Sequence, residues 1–321
     1  MTVKPPPRSI CVLGGTGFVG RAIVNQLVRL GYRVRIPTRS RQRHRDLLVF
    51  PGVDLIVADV HDERVLARLV AGCDAVVNLI GILNERGHDG SGFKHVHVDL
   101  VEKLLRACND ADVDRLIHMS ALKANADRGP SHYLRTKGQA EQLVRNQSGD
   151  IRYTIFKPST IFGPGDSFTN RFAGLLKVLP VLPLPCADAR MSPVYVEDVA
   201  LAFVRAVEDG HTSGRTYELC GPEIYSLGEV VGFLKRQLRI RRAVVPLPKP
   251  LGRLQAAVAD YLIPGKPFSI DNFESLSVAG VCSENGLTNL GIAPKSMATI
   301  VPAYLGRTTR PAPPRTPSGA G

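Results

Sequence analysis

The chain has 321 residues, 44% hydrophobic and 22% charged, enough apolar material for a full globular core, which excludes a disordered or fibrous class. No run of about 18 apolar residues occurs, and the longest candidate, 178–185, is interrupted by three prolines, so no transmembrane segment is expected. A formal net charge of +12 admits acidic ligands, nucleic acid or an anionic membrane surface as partners.

In chain order, Met1–Arg8 carries three prolines and no apolar stretch, which argues against a secretory leader. Ser9–Leu13 reads as a short apolar strand. Phe18–Leu30 then shows helical periodicity through Val19, Ile23, Leu27 and Leu30, ended by Gly31. Strands follow at Tyr32–Pro37 and Val53–Val60, a helix at Asp62–Val70, and a nearly continuous apolar strand at Asp74–Ile80. The alternation continues with a helix at Val98–Asn109, a strand at Arg115–Met119, a helix at Tyr133–Asn146 and a strand at Ile151–Lys157. Strand and helix alternating at this pitch predict an α/β fold, a doubly wound parallel sheet of Rossmann type.

After Pro158 the pattern loosens into proline- and glycine-rich sequence, although Val196–Val207 and Thr216–Leu219 still read as a helix and strand of the same sheet. The expected division is a dinucleotide-binding domain over 1–160 with 195–221, and a smaller discontinuous C-terminal lobe over 161–194 and 222–307. A disordered tail is expected at 308–321. The six cysteines (11, 73, 108, 186, 220 and 282) form no CxxC pair and no metal-ligand spacing. They read as small core residues in a reducing compartment. The expected location is cytoplasmic, with peripheral attachment to the inner face of a membrane left open.

The glycines Gly14, Gly17 and Gly20 directly follow the first strand and open the first helix. In that context each has a task. Gly14 permits the turn, Gly17 lets a pyrophosphate approach the backbone, and Gly20 lets helix and strand pack closely. Thr16, Phe18 and Val19 line the same turn, where the helix N-terminus offers unpaired amides and the positive end of its dipole. An NAD-selective site places an acid at the end of the second strand, but this chain has Thr38-Arg39-Ser40-Arg41 there. Guanidinium groups suit a 2′-phosphate, so NADP(H) is expected over NAD(H), with Arg39 as the first contact and Ser40 and Arg41 as helpers. Asp59 and Val60 end the third strand near the adenine, although Asp59 could equally cap the next helix. Asn78 and Gly81 end the fourth strand, near the adenosine ribose and pyrophosphate.

Tyr133 and Lys137 stand four apart at the start of a helix, on one face. A free phenol, with a pKa near 10, is a poor acid/base at neutral pH, and a nearby ammonium would favour its phenolate. The lysine could also hold the nicotinamide ribose hydroxyls.

Gly14, Gly17 and Gly20, Asp59-Val60, the Tyr133/Lys137 pair, the run 157–166 and the segment 192–200 together resemble the extended and atypical short-chain dehydrogenases/reductases of the NAD-dependent epimerase/dehydratase type. The phrases LGGTGFVG, NLIGIL, SALKAN and YLRTKGQAE are similar to the NAD(P)H-binding accessory subunits of respiratory complex I and their bacterial relatives. The resemblance implies a nucleotide site that includes Gly14, Gly17, Arg39, Asp59, Tyr133 and Lys137, with Pro158 at its edge. It also implies a second lobe that holds a substrate or partner. Active members carry a serine or threonine beyond the fifth strand, and Ser120 is the residue available here. Asp99 stands where many extended members have asparagine. Both departures bear on catalysis and leave nucleotide binding untouched.

Two function classes follow. One is an NADP-dependent oxidoreductase or epimerase acting on a small-molecule substrate, with Tyr133 as acid/base, Lys137 tuning it and Ser120 on the substrate oxygen. The other is a non-catalytic, nucleotide-holding protein of a quinone-linked membrane complex, with the basic group 235–242 and the Pro/Leu-rich segments 175–185 and 246–254 as its docking surface. Nucleic-acid binding is disfavoured, because no aromatic residues interleave that basic group.

Overall fold

Successive side chains of a strand point to opposite faces of a sheet. In the computed structural model, which describes residues 9–263, 266 and 268–305, the first half runs β1 (Ser9–Leu13), α1 (Phe18–Arg29), β2 (Arg33–Thr38), β3 (Val53–Val57), α2 (Glu63–Val70), β4 (Ala75–Asn78), α3 (Ser91–Lys94), α4 (Leu100–Asp110), β5 (Arg115–Met119), α5 (His132–Gln147) and β6 (Arg152–Pro158). It continues through β7 (Ile161–Phe162), α6 (Ser167–Val178), β8 (Val181–Leu184), β9 (Arg190–Met191), β10 (Val194–Tyr195), α7 (Val196–Glu208) and β11 (Arg215–Leu219). The remaining elements are β12 (Tyr225–Ser226), α8 (Leu227–Gln237), β13 (Ala243–Pro246), α9 (Lys249–Leu262), α10 (Ile270–Ser275), α11 (Gly286–Asn289) and α12 (Met297–Leu305).

Seven parallel strands form the main sheet in the order β11-β6-β5-β4-β1-β2-β3. Ile10 and Val12 of β1 and Ala75 and Val77 of β4 join one buried cluster with α1 and α7. Cys11, Leu13 and Val76 join the cluster on the other face, with α2, α4 and α5. Both faces are therefore covered, which explains why these strands are apolar throughout. Strand order reverses between β1 and β4, and the crevice at the carboxyl ends of these two strands is where such sheets bind ligands.

A third core joins Leu176 of α6, Leu182 and Leu184 of β8, Val230, Val231 and Leu234 of α8, and Met297 and Val301 of α12. The ribbon β8–β13 is parallel and β9–β12 antiparallel. Among the described residues no helix is long and apolar enough to cross a membrane. The tail expected at 308–321 lies outside the described residues.

Two local expectations need correction. The strand expected over Val53–Val60 stops at Val57. The Asp59 carboxylate accepts the His61 amide at 3.0 Å and turns the chain, and Asp62 rather than Asp59 caps α2 through the amides of Arg64 and Val65. The reading of all six cysteines as unpaired also fails. Cys11, Cys73 and Cys108 are free and buried and Cys186 is free, but Cys220 and Cys282 form a disulfide. Sequence spacing could not reveal this pair, because its members are 62 residues apart. They meet where the segment after α10 runs back beside the end of β11, with the Cys220 amide held by Asn285.

Candidate nucleotide site

The phosphate loop is built almost wholly from backbone. Gly14 sits at φ +83°, a conformation that side chains other than glycine rarely adopt. A Cβ on Gly20 would collide with the Gly14 carbonyl oxygen and lie 2.6 Å from the Cα of Gly15, so helix and loop meet there with no room for a side chain. The N-cap of α1 is Gly17, and no side chain caps the helix. By contrast α2, α5, α6 and α8 are capped by Asp62, Ser131, Asp166 and Ser226. The first-turn amides of α1, those of Phe18 and Val19 among them, are therefore left for a ligand, and a pyrophosphate fits them by charge and by space. The Thr16 carbonyl is held from behind by the Arg21 guanidinium at 3.0 Å, and Arg21 itself pairs with Asp46.

Beyond the ends of β2 and β3 lies a cavity of about 790 Å³, lined by Arg39, Ile56, Ala58, Asp59, His61 and Arg68 among others. Arg39 and Asp59 thus line the same cavity. Arg68, from α2, brings a second guanidinium to the cavity that the sequence reading missed. Its signal was faint, because nothing in one sequence says which face of α2 looks back across the sheet. Ser40 donates its amide to the Thr38 hydroxyl at 3.3 Å, and neither it nor the exposed Arg41 lines the cavity. Val60 packs against the α2/α4 core.

The other end of the crevice is built from side chains. Lys137 is fully buried and donates to the carbonyl oxygens of Met119 at 3.1 Å and Ile80 at 3.4 Å. A Cβ on Gly81 would lie 2.9 Å from its ammonium, so Gly81 makes space for Lys137. Burial pulls the lysine pKa down to about 8, opposed by the negative charge of Glu141. Asn78 is buried, accepts the Ile80 amide and faces the Nδ1 of His118 at 3.2 Å, so it shapes the turn after β4. Pro158 is buried at the end of β6, and its carbonyl accepts the Leu122 amide.

Two histidines complete this end and were missed from sequence. A π-helical stretch over His95–Asp99 turns His97 inward, where its Nε2 accepts the Ile82 amide at 3.1 Å and its Nδ1 lies 2.9 Å from the Thr136 hydroxyl. Asp99 faces outward and pairs with His95 at 3.7 Å. Burial, with the nearby Lys137 ammonium, pushes His97 to about 2 and His118 to about 3, so both are neutral at neutral pH. No periodicity rule predicts a π turn, so the inward turn of His97 is not readable from the sequence.

Tyr133 stacks edge-on against His97, with ring centroids 5.6 Å apart, and its backbone amide is accepted by Asp271 of α10. Burial, with the negative Asp271, raises its phenol to about 12. The tyrosine packs, together with Val278, on a small cluster of Ala121, Ala124 and Leu134. Ala121 and Ala124, just beyond β5, thus contribute methyl groups to the packing around Tyr133. Ser120, one residue earlier, is buried and donates its hydroxyl to Glu141 at 2.5 Å. Glu141 also accepts from Lys157 at 3.0 Å and Arg145 at 2.9 Å. The structure thus brings Tyr133 and Lys137 to the crevice but ties the Ser120 hydroxyl to a buried ion network. Of that network the sequence shows only the Glu141/Arg145 step of four residues along α5; Ser120 and Lys157 come from β5 and β6 and join it only in the fold.

Residues 10–220 match the family model described as the NAD dependent epimerase/dehydratase family. The chain is 32% identical over 291 residues to the mitochondrial NADH dehydrogenase [ubiquinone] 1 alpha subcomplex subunit 9 of Arabidopsis thaliana, an alignment covering 86% of this chain and 71% of the relative. It is 31% identical over 198 residues to a ceramide reductase of Caulobacter vibrioides, covering 61% and 59% of the two chains. Among solved structures, a nucleoside-diphosphate-sugar epimerase of Staphylococcus aureus superposes with a TM-score of 0.71 over 93% of this chain and 100% of that one, at 18% identity, which establishes the likeness of fold.

Proposed function

The chain belongs to the NAD dependent epimerase/dehydratase family, and from that premise we propose that it holds NADP(H) in this crevice as a structural ligand and serves a quinone-linked membrane assembly as a nucleotide-bound platform. The observation that carries this reading is the surroundings of Tyr133: alanine methyls and Val278 beside the ring, and the only hydroxyl at the end of β5 committed to Glu141. An acid/base tyrosine needs a partner that orients the substrate oxygen and a pKa drawn toward neutrality. Here the phenol is pushed the other way.

Each end of the crevice would hold its part of the nucleotide. The uncapped first turn of α1 takes the pyrophosphate. Arg39 and Arg68 flank the 2′-phosphate, in a cavity where Asp59 alone would favour a free hydroxyl. Lys137, fixed by two carbonyls, offers its remaining N–H to the nicotinamide ribose. Bound nicotinamide supplies a hydride donor or acceptor in oxidoreductases of this family. Tyr133 keeps its proton and packs beside the ring site. The elements over 161–194 and 222–307 form the partner-facing lobe in this reading, and the protein works at the cytoplasmic face of a membrane.

The rival reading is turnover of a carbonyl substrate, favoured by the intact Tyr133/Lys137 spacing and by the similarity to a ceramide reductase. Release of nucleotide by denaturation, identified by mass, tests the shared premise. NADP(H) stoichiometric with the chain is expected. NAD(H) instead would remove the role given to Arg39 and Arg68, and a chain that neither carries nor takes up either nucleotide would end the proposal.

A further inference from the structure

Helix α9 is built inside out. Its buried side consists of the small residues Gly252, Ala256 and Ala259, so close to the lobe that a Cβ on Gly252 would lie 3.0 Å from the Cβ of Pro185 and 3.1 Å from the Phe273 ring. Its large apolar side chains, Leu251, Leu254, Val258, Tyr261 and Leu262, all point outward, with Leu254 60%, Tyr261 63% and Leu262 74% exposed. At 100° per residue these five fall within one arc of about 100°, a continuous apolar stripe facing solvent. A helix that only completes a lobe would turn this stripe inward. The ribbon that leads into α9 behaves alike, with Val181 and Val245 nearly half exposed.

The sequence that runs into α9 and through its first three turns is basic, and the one acid of the helix, Asp260, is buried and paired with Lys266. Residues 235–259 carry Lys235, Arg236, Arg239, Arg241, Arg242, Lys249 and Arg253 and no acid. Arg253 lies 3.8 Å from Glu274; among the described residues the other six cations form no ion pair, and Arg241, Arg242 and Lys249 are exposed. We infer that α9 is an interfacial helix that seats the protein on an anionic lipid bilayer, its apolar stripe entering the headgroup region while the arginines and lysines meet the lipid phosphates. Other occupants fit less well. Two-fold pairing with a second copy would set this like-charged cluster against itself. Residues 306–321 contain no Leu, Ile, Val or Phe with which to cover the stripe. This surface does not depend on whether the crevice turns nucleotide over.

The test is flotation of the full-length protein with vesicles of phosphatidylcholine alone and of phosphatidylcholine with phosphatidylglycerol, for the wild type, Leu254→Glu/Val258→Glu and Arg241→Glu/Arg242→Glu. All substituted positions are on the surface, so thermal melting and NADPH binding should match the wild type and certify folding. The wild type should float with the anionic vesicles, and each double variant should partition at least about tenfold less, since two exposed apolar side chains or two cations each contribute that much. Wild-type protein that ignores anionic vesicles would overturn the proposal. So would binding that survives Leu254→Glu/Val258→Glu, which would mean that the stripe stays outside the bilayer. A dimer in solution that this variant splits, without vesicle binding, would give the face to a second copy instead.

Discussion

The two ends of the crevice are made of different material. At the glycine-loop end the working parts are backbone: a left-handed Gly14, a Gly20 with no room for a Cβ, and amides at an uncapped helix start. At the Lys137 end they are side chains from separate elements, with Lys137 held by the carbonyls of Ile80 after β4 and Met119 at the end of β5, His97 rotated in by a π turn, and Tyr133 packed with alanines and Val278. A backbone site keeps its function as long as the turn persists. A side-chain site can keep its shape while single positions change its chemistry, and here Ala121 and Ala124 pack with Tyr133 while the Ser120 hydroxyl goes to Glu141.

Four variants and one control probe that contrast. Gly20→Ala should do most harm, because its Cβ meets backbone that cannot move aside. We expect a loss of about 1–3 kcal/mol in stability and more than about 100-fold in NADPH affinity, read by thermal melting and nucleotide fluorescence. Gly174→Ala on α6, where nothing lies within 4 Å, should leave both intact.

Lys137→Met should separate holding from folding. The buried ammonium titrates near 8 in the folded chain against 10.5 in an exposed lysine. A depressed folded pKa means that the unfolded chain binds more protons between these values, so the wild type gains stability as pH rises through that window and lacks it below. At neutral pH the methionine variant should therefore be more stable than the nucleotide-free wild type, by up to about 3 kcal/mol, and the gap should close as pH approaches 10.5. Its NADPH affinity should fall by about tenfold or more. Equal stability at both ends of that pH range would contradict the burial argument.

Arg39→Ala with Arg68→Ala should weaken NADPH by about 10- to 100-fold and leave NADH within about twofold, as expected when charge-assisted bonds to one phosphate are lost. Equal weakening of both nucleotides would place these arginines elsewhere on the ligand. Ser120→Ala is the mildest. It removes one hydrogen bond to the buried Glu141 and should cost about 1–2 kcal/mol of stability with little change in nucleotide affinity. A large affinity loss would return Ser120 to the ligand.

How much of this was legible in the sequence follows the same division. The parallel strands and the glycine turn could be read because periodicity and glycine spacing report backbone conformation directly. Arg68, His97 and His118 could not, since each depends on which way a helix face or π turn points once the sheet has formed. Ser120 shows the intermediate case: its place at the end of β5 was legible, but not the carboxylate waiting for its hydroxyl. The Cys220–Cys282 pair belongs to tertiary structure alone.

The central claim is that the nucleotide is held and not turned over. The most direct test follows the absorbance of protein-bound NADPH while simple carbonyl and quinone acceptors are added to the wild type and to Tyr133→Phe. The account predicts that bound NADPH persists in both, oxidised no faster than free NADPH in buffer. Multiple-turnover oxidation by the wild type that Tyr133→Phe abolishes would contradict it and make this chain an enzyme.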